Sequence, residues 1–172
     1  HLIQLAYDHG IQIKVIFTPE HGFAGVAGAG EKVEDGIEPL TGSAIFSLYG
    51  KNNKPSPQML QGLDVVVFDM QDIGVRYYTY ISTLTYILEA AAENGIPVLV
   101  LDRGNPLGRE VKGPLLAEEF KSFVGMHPIP ILHGMTLGEL AQMINGEGWL
   151  ANGIQADLTV ISYNGTDDEK IR

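Results

Sequence analysis

The chain has 172 residues, enough for one domain with a substantial core and crowded for two. Its 11 basic and 21 acidic residues leave a net charge of −10, which opposes binding to nucleic acid or to an anionic membrane surface, while 45 % hydrophobic and 19 % charged residues describe an ordinary globular protein. With no cysteine, disulfides, thiolate metal sites and cysteine nucleophiles are excluded, and no apolar stretch reaches the roughly 18 residues of a membrane span.

In chain order, the opening HLIQLAYDHG reads as the tail of a helix closed by Gly10. No signal peptide is visible and the chain begins inside a helical pattern, so a fragment is expected. Strands are expected at Ile11–Phe17 (IQIKVIF), Ser43–Tyr49, Asp64–Met70, Pro97–Asp102, Ile129–His133 and Asp157–Ser162. Most are continuous apolar runs, the pattern of parallel strands covered on both faces.

Helical patterns lie between them. Ser56 is a candidate N-cap with Pro57 in the first helical position. From Thr79 to Asn94 the spacing puts Tyr80, Ile81, Leu84, Ile87, Leu88 and Ala91 on one face, with Gly95 and Pro97 as the stop. Thr136 and Glu139 have the spacing of a capping box opening TLGELAQMI. The alternation predicts an α/β fold, a doubly wound, mainly parallel sheet with helices on both faces, which binds ligands at the carboxyl ends of its strands.

The polar residues concentrate at those ends: Glu20 and His21 after the first strand, Asp69, Gln71, Asp72 and Arg76 after the third, Asp102, Arg103 and Asn105 after the fourth, and His133 closing the fifth. In the expected fold they converge on one rim. Each also has a structural reading. Asp69 and Asp102 are placed to cap a following helix, Asn105-Pro106 with Gly108 is a turn starter, and His133 suits a satisfied core histidine. Tyr77, Tyr78 and Tyr80 open a helix, where one packs and another offers a ring face to a sugar. Glu20, after Pro19 in a glycine-rich loop, has no helix to cap, which favours chemistry over structure there. His21 orients it or binds the loop backbone.

The glycines at 22, 25, 28 and 30 miss the dinucleotide-binding spacing, and EKVEDGIEPL after them is no helix. No phosphate-binding lysine loop, serine elbow or paired-histidine metal spacing occurs. Glu20, Asp69, Asp72 and His133 have the chemistry to gather magnesium or manganese, an option the residues leave open.

The strings FTPEHGFAG, AGEKV, SLYG, VVFDMQDIGVRYYTYISTL, LDRGNPLG, VGMHPIPILHGMTLGELA and ADLTVI, in this order over nearly the whole chain, resemble the bacterial DUF1343 family, typified by exo-β-N-acetylmuramidases of the NamZ type. The resemblance implies most of a Rossmann-like catalytic domain, here residues 1–172, short of its first strand and turn, with the family's auxiliary domain absent. It implies a glycosidase that releases terminal, non-reducing β-linked N-acetylmuramic acid from peptidoglycan fragments in cell-wall turnover. Its partner is then a muropeptide or disaccharide, with neither metal nor cofactor, and export from the cytoplasm is favoured.

The family's catalytic glutamate maps onto Glu20, as acid/base, with Asp72 or Asp69 as the second carboxyl. His21, Gln71, Arg76, Tyr80, Asp102, Arg103, Asn105 and His133 become candidates for the pocket. Arg76 or Arg103 suits the lactyl carboxylate of muramic acid through a bidentate fork. Carboxyl groups about 5 Å apart imply retention, and about 6.5 to 9.5 Å inversion. Participation by the substrate's acetamido group is the third option. The chain departs from the family at Gly104, where proline is usual, and at Arg109, where glycine often follows.

Overall fold

A computed structural model describes residues 2–23, 25, 27, 28, 30, 31 and 33–162. They fall into two compact units that divide between Met59 and Leu60, each considered by itself.

In the first unit, α1 (Leu2–Asp8) ends as expected at Gly10. Ile11 N–H donates to Ala6 O at 2.9 Å and Gly10 N–H to Tyr7 O at 3.0 Å, the paired bonds of a Schellman closure. β1 (Val15–Thr18) pairs in parallel with β3 (Ala44–Ser47), Val15 opposite Ala44 and Thr18 opposite Ser47. β2 (Gly36–Ile37) adds to the other edge of β3 in the antiparallel sense, giving the order β1-β3-β2.

The first strand is shorter than its apolar run predicted, because Ile11 to Lys14 are outside the ladder. β2 was not expected at all. Its two residues are exposed, and pairing with β3, not burial, makes them a strand. Glu38 organises the link between them by accepting from Leu40 N–H, Thr41 N–H and the Thr41 hydroxyl. The single turn α2 (Pro57–Leu60) is opened by Ser56, whose hydroxyl accepts Met59 N–H at 3.4 Å.

The second unit is built on β4 (Val66–Phe68), β5 (Val98–Leu101) and β8 (Leu158–Ile161), all parallel, in the order β4-β5-β8. The helix α3 (Tyr80–Glu93) links β4 to β5, a βαβ unit, and α4 (Leu137–Gly146) lies between β5 and β8 in the chain. Leu84, Leu88, Val98, Val100, Leu140 and Ile144 are fully buried and form the core, each contributing roughly 1.5–3 kcal/mol. The predicted face of α3 is buried throughout.

Ser82, Thr83, Thr85 and Glu89 of α3 are buried too, a feature its amphipathic pattern did not announce. The polar atoms of Ser82, Thr85 and Glu89 serve other segments, and the Thr83 hydroxyl is buried without a bonded partner among the described residues. The Ser82 hydroxyl donates to Phe123 O at 2.6 Å, Thr85 meets His127, and Glu89 accepts Ala151 N–H at 2.9 Å. The predicted capping box of α4 is formed: the Thr136 hydroxyl accepts Glu139 N–H at 3.2 Å and Glu139 accepts Thr136 N–H at 2.8 Å.

Two expectations for this unit need correction. The run Ile129–His133 is a strand only at Leu132–His133 (β7), and that strand pairs antiparallel with β6 (Val111–Lys112) in a separate ribbon. Nor is β4 covered on both faces, since Val66 and Phe68 are buried while Val65 and Val67 are each 44 % exposed.

Candidate functional site

The candidate residues divide between the units. In the first, the chain leaves β1 at two buried residues, Thr18 and Pro19, and turns at once. Gly22 N–H donates to Pro19 O at 3.1 Å, closing a tight turn whose middle residues are Glu20 and His21. His21 has φ +74°, the value a type II turn requires of its third residue and glycine usually supplies. The strain is offset by the His21 side chain, whose Nδ1–H donates to Ala27 O at 2.8 Å, while Ala27 N–H returns to His21 O at 3.3 Å. Because a carbonyl only accepts, this fixes the proton on Nδ1 of the neutral ring. Of the two readings of His21, binding the loop backbone is the one seen.

Glu20, partly buried, accepts Gly30 N–H on Oε1 at 2.9 Å. It also hydrogen-bonds the phenol of Tyr49. Burial first, then the charge of Glu20 and this bond, push the Tyr49 phenol above its ordinary value. Tyr49 was not among the expected site residues. It lies in the SLYG string, and its contact with Glu20 depends on the β1–β3 register, which a sequence does not state.

In the second unit, Arg103 binds Asp69 through both Nε and Nη2, which converge on one oxygen, Oδ1, and tie together the ends of the adjacent strands β4 and β5. Gln71 donates to Asp72 O at 2.7 Å and Gly104 O at 3.1 Å. Asp102 is spent on α4, accepting the Thr136 hydroxyl and Gly138 N–H, both at 2.7 Å, so its capping role is realised.

Asn105 acts as a staple, donating to Met135 O and accepting Leu107 N–H, both at 2.9 Å. Its amide fills the space beside Gly74, where an added Cβ would meet Asn105 Oδ1 at 2.2 Å. Arg76 donates through Nη1 to Pro114 O at 2.8 Å and Ile129 O at 2.6 Å. Tyr80 is 9 % exposed with its ring against Tyr78, and Tyr77, 60 % exposed, is the accessible ring of the three.

Asp72 and His133 form a buried pair. Asp72, 5 % exposed, accepts Gly74 N–H on Oδ2 at 2.7 Å, and the same oxygen lies 3.3 Å from His133 Nε2. Met135 N–H donates to His133 Nδ1 at 3.3 Å, which leaves the ring proton of the neutral histidine on Nε2, facing the carboxylate. The approach falls short of hydrogen-bond geometry, and among the described residues Asp72 Oδ1 and His133 Nε2 are buried without a bonded partner. Buried polar atoms left this way are uncommon and mark places where proton transfer or ligand binding completes the set. Among the described residues no three histidine or carboxylate side chains gather as ligands of one metal ion.

A family model described as exo-beta-N-acetylmuramidase NamZ, N-terminal, matches residues 1–171. The peptidoglycan beta-N-acetylmuramidase NamZ of Bacillus subtilis is 50 % identical over 161 residues, 92 % of this chain and 38 % of that protein. Two crystal structures of DUF1343 family proteins from Bacteroides fragilis are similar. One has a TM-score of 0.85 and 42 % identity, covering 99 % of this chain and 44 % of the other. The second has a TM-score of 0.83 and 40 % identity, covering 93 % and 40 %. The chain thus spans less than half the length of these relatives, and the expected α/β, Rossmann-like class holds.

Proposed function

Because the chain belongs to the family of NamZ N-terminal domains, we propose that it is the catalytic part of a glycosidase, an exo-β-N-acetylmuramidase. The substrate is a peptidoglycan fragment bearing a terminal, non-reducing β-linked N-acetylmuramic acid. The observation that carries this reading is the 50 % identity to the Bacillus subtilis enzyme over 161 residues. Glu20 supports it, as a tethered carboxyl at the carboxyl end of a parallel strand, where α/β folds bind ligands.

In this proposal Glu20 protonates the leaving glycosidic oxygen and afterwards receives a proton from water. The second carboxyl comes from Asp69 or Asp72. Asp69 reaches solvent and its charge is balanced by Arg103, which suits a carboxylate that stabilises developing positive charge. Asp72, buried against His133, suits holding a group in place. Arg76 or Arg103 meets the lactyl carboxylate, Arg103 only by releasing part of its bond to Asp69. His21, Gln71, Tyr80, Asp102, Asn105 and His133 remain proposed pocket residues, His21, Gln71, Asp102 and Asn105 acting through the backbone they hold.

The test is release of muramic acid from a chromogenic N-acetylmuramide by the protein that carries this chain. Glu20→Gln is expected to lower kcat by about 10²- to 10⁴-fold. Activity near the unmodified level would overturn the assignment of Glu20. Asp69→Asn and Asp72→Asn assign the second carboxyl by whichever removes turnover while the fold persists.

A further inference from the structure

Glu20 and Tyr49 lie the same distance past the ends of neighbouring strands. β1 and β3 run parallel with Thr18 opposite Ser47, and Leu48 N–H extends the pairing to Thr18 O at 2.8 Å. Glu20 lies two residues past Thr18, inside the turn, and Tyr49 two past Ser47, so the parallel pairing delivers both to the same end of the two strands. Leu48, fully buried, anchors the chain just before Tyr49. The Ser47 side chain clamps the Tyr49 backbone: its Oγ accepts Tyr49 N–H at 3.2 Å and donates to Tyr49 O at 3.3 Å. Ser47 N–H is itself held by Asp35 Oδ1 at 2.8 Å. The phenol that reaches Glu20 is thus presented by a fixed piece of backbone.

We propose that Tyr49 is the positioning residue of Glu20, holding its carboxyl in one orientation in both protonation states. The inference rests on the reading of Glu20 as the proton-transferring group. Among the described residues, Gly30 N–H and the Tyr49 phenol reach that carboxyl, and they differ in kind. Gly30 N–H can only donate: it bonds an unprotonated oxygen of Glu20 and offers nothing to the acid's own O–H. A phenol donates to a carboxylate and accepts from a carboxylic acid, so the Tyr49 bond survives when Glu20 gains its proton. A group that must act first as acid and then as base needs such a companion. A glutamate with three rotatable side-chain bonds otherwise drifts from its reactive geometry, at a cost of up to about 10²-fold in rate. The raised phenol keeps its own proton through the working range.

Tyr49→Phe, Glu20→Gln and the double variant are compared by steady-state kinetics across pH, with thermal melting as the control for folding. Tyr49→Phe is expected to lower kcat about 10- to 10²-fold with KM nearly unchanged. Its pH limb should move toward higher pH, since a donor to the ionised carboxyl is lost. The double variant should be no slower than Glu20→Gln. Losses that multiply, a loss confined to KM, or an unchanged kcat and profile would each overturn the role of Tyr49. If Glu20→Gln itself keeps full activity, the reading of Glu20 fails and this role with it, a result distinct from the others. Should Tyr49→Phe not fold, 3-fluorotyrosine at position 49 alters the acidity of the phenol and not its shape. A shifted profile then supports the pairing, and an identical one overturns it.

Discussion

Asp102 and Gly138 meet so closely that neither admits a larger neighbour. Asp102 Oδ1 accepts Gly138 N–H at 2.7 Å, and a Cβ added at Gly138 would lie 2.6 Å from both Asp102 Cγ and Val160 Cγ1. The carboxylate that ends β5 is thereby docked on the first turn of α4.

Gly138→Ala sets two effects against each other. Helix propensity favours alanine by about 1 kcal/mol, whereas overpacking against the side chains of Asp102 and Val160 costs about 1–3 kcal/mol. The overlap wins, because the Asp102 carboxylate is held by the Thr136 hydroxyl and Gly138 N–H and cannot withdraw without losing the cap. A lower urea midpoint with the same slope is expected.

Thr85 fixes the state of His127. Its hydroxyl donates to Ile81 O at 2.9 Å, so toward His127, 2.8 Å away, it accepts, and the imidazole proton sits on Nε2. Thr85→Val keeps the shape and strands that buried N–H. A loss of about 1–3 kcal/mol is expected in denaturant titration.

His127 also makes stability pH-dependent. It is buried and stacked on Trp149 at 5.3 Å, and burial, with the charge of Lys121, pushes it down to about 4 from its ordinary 6.5. The unfolded chain takes up the proton first as pH falls. The contribution is therefore whole above pH 6.5, and on the order of 3 kcal/mol is lost between about 6.5 and 4. In His127→Gln, urea midpoints at pH 7 and pH 4.5 should lie closer together than in the unmodified protein.

Arg109, one of the two departures from the family pattern, has a structural task. Its Nη1 donates to Glu139 Oε1 at 2.7 Å and Oε2 at 2.6 Å, beside the capping box of α4. Burial alone would raise Glu139, but the bond from Arg109, the Thr136 N–H and the Arg109 charge hold it below the usual carboxylate range. Both side chains are substantially exposed, so Arg109→Ala should cost no more than about 1 kcal/mol. The difference should shrink in high salt and vanish as Glu139 is protonated at acid pH. Thermal melts across salt and pH check this.

Helices were legible in the sequence where spacing and caps agreed. α3 and the capping box of α4 lie where period and punctuation placed them, because both depend on residues within a few positions of each other. Strands were legible as apolar runs but not at their ends, since a ladder needs a partner strand and β1 pairs with β3 only from Val15 onward. The antiparallel β6–β7 ribbon was hidden because Val111 and Lys112 are exposed and carry no apolar pattern. At the candidate site, residue identity placed Glu20 at a strand end, and Asp102 and Asn105 proved to hold structure, as their bland readings allowed. Tyr49 escaped because only strand register brings it to Glu20.

The Asn105 amide occupies the space that a side chain at position 74 would need. One residue supplies the emptiness and the other the filling. Position 74 also holds φ +82°, so trimming residue 105 alone would not make room there without backbone strain: fit and backbone shape both reserve that place for glycine.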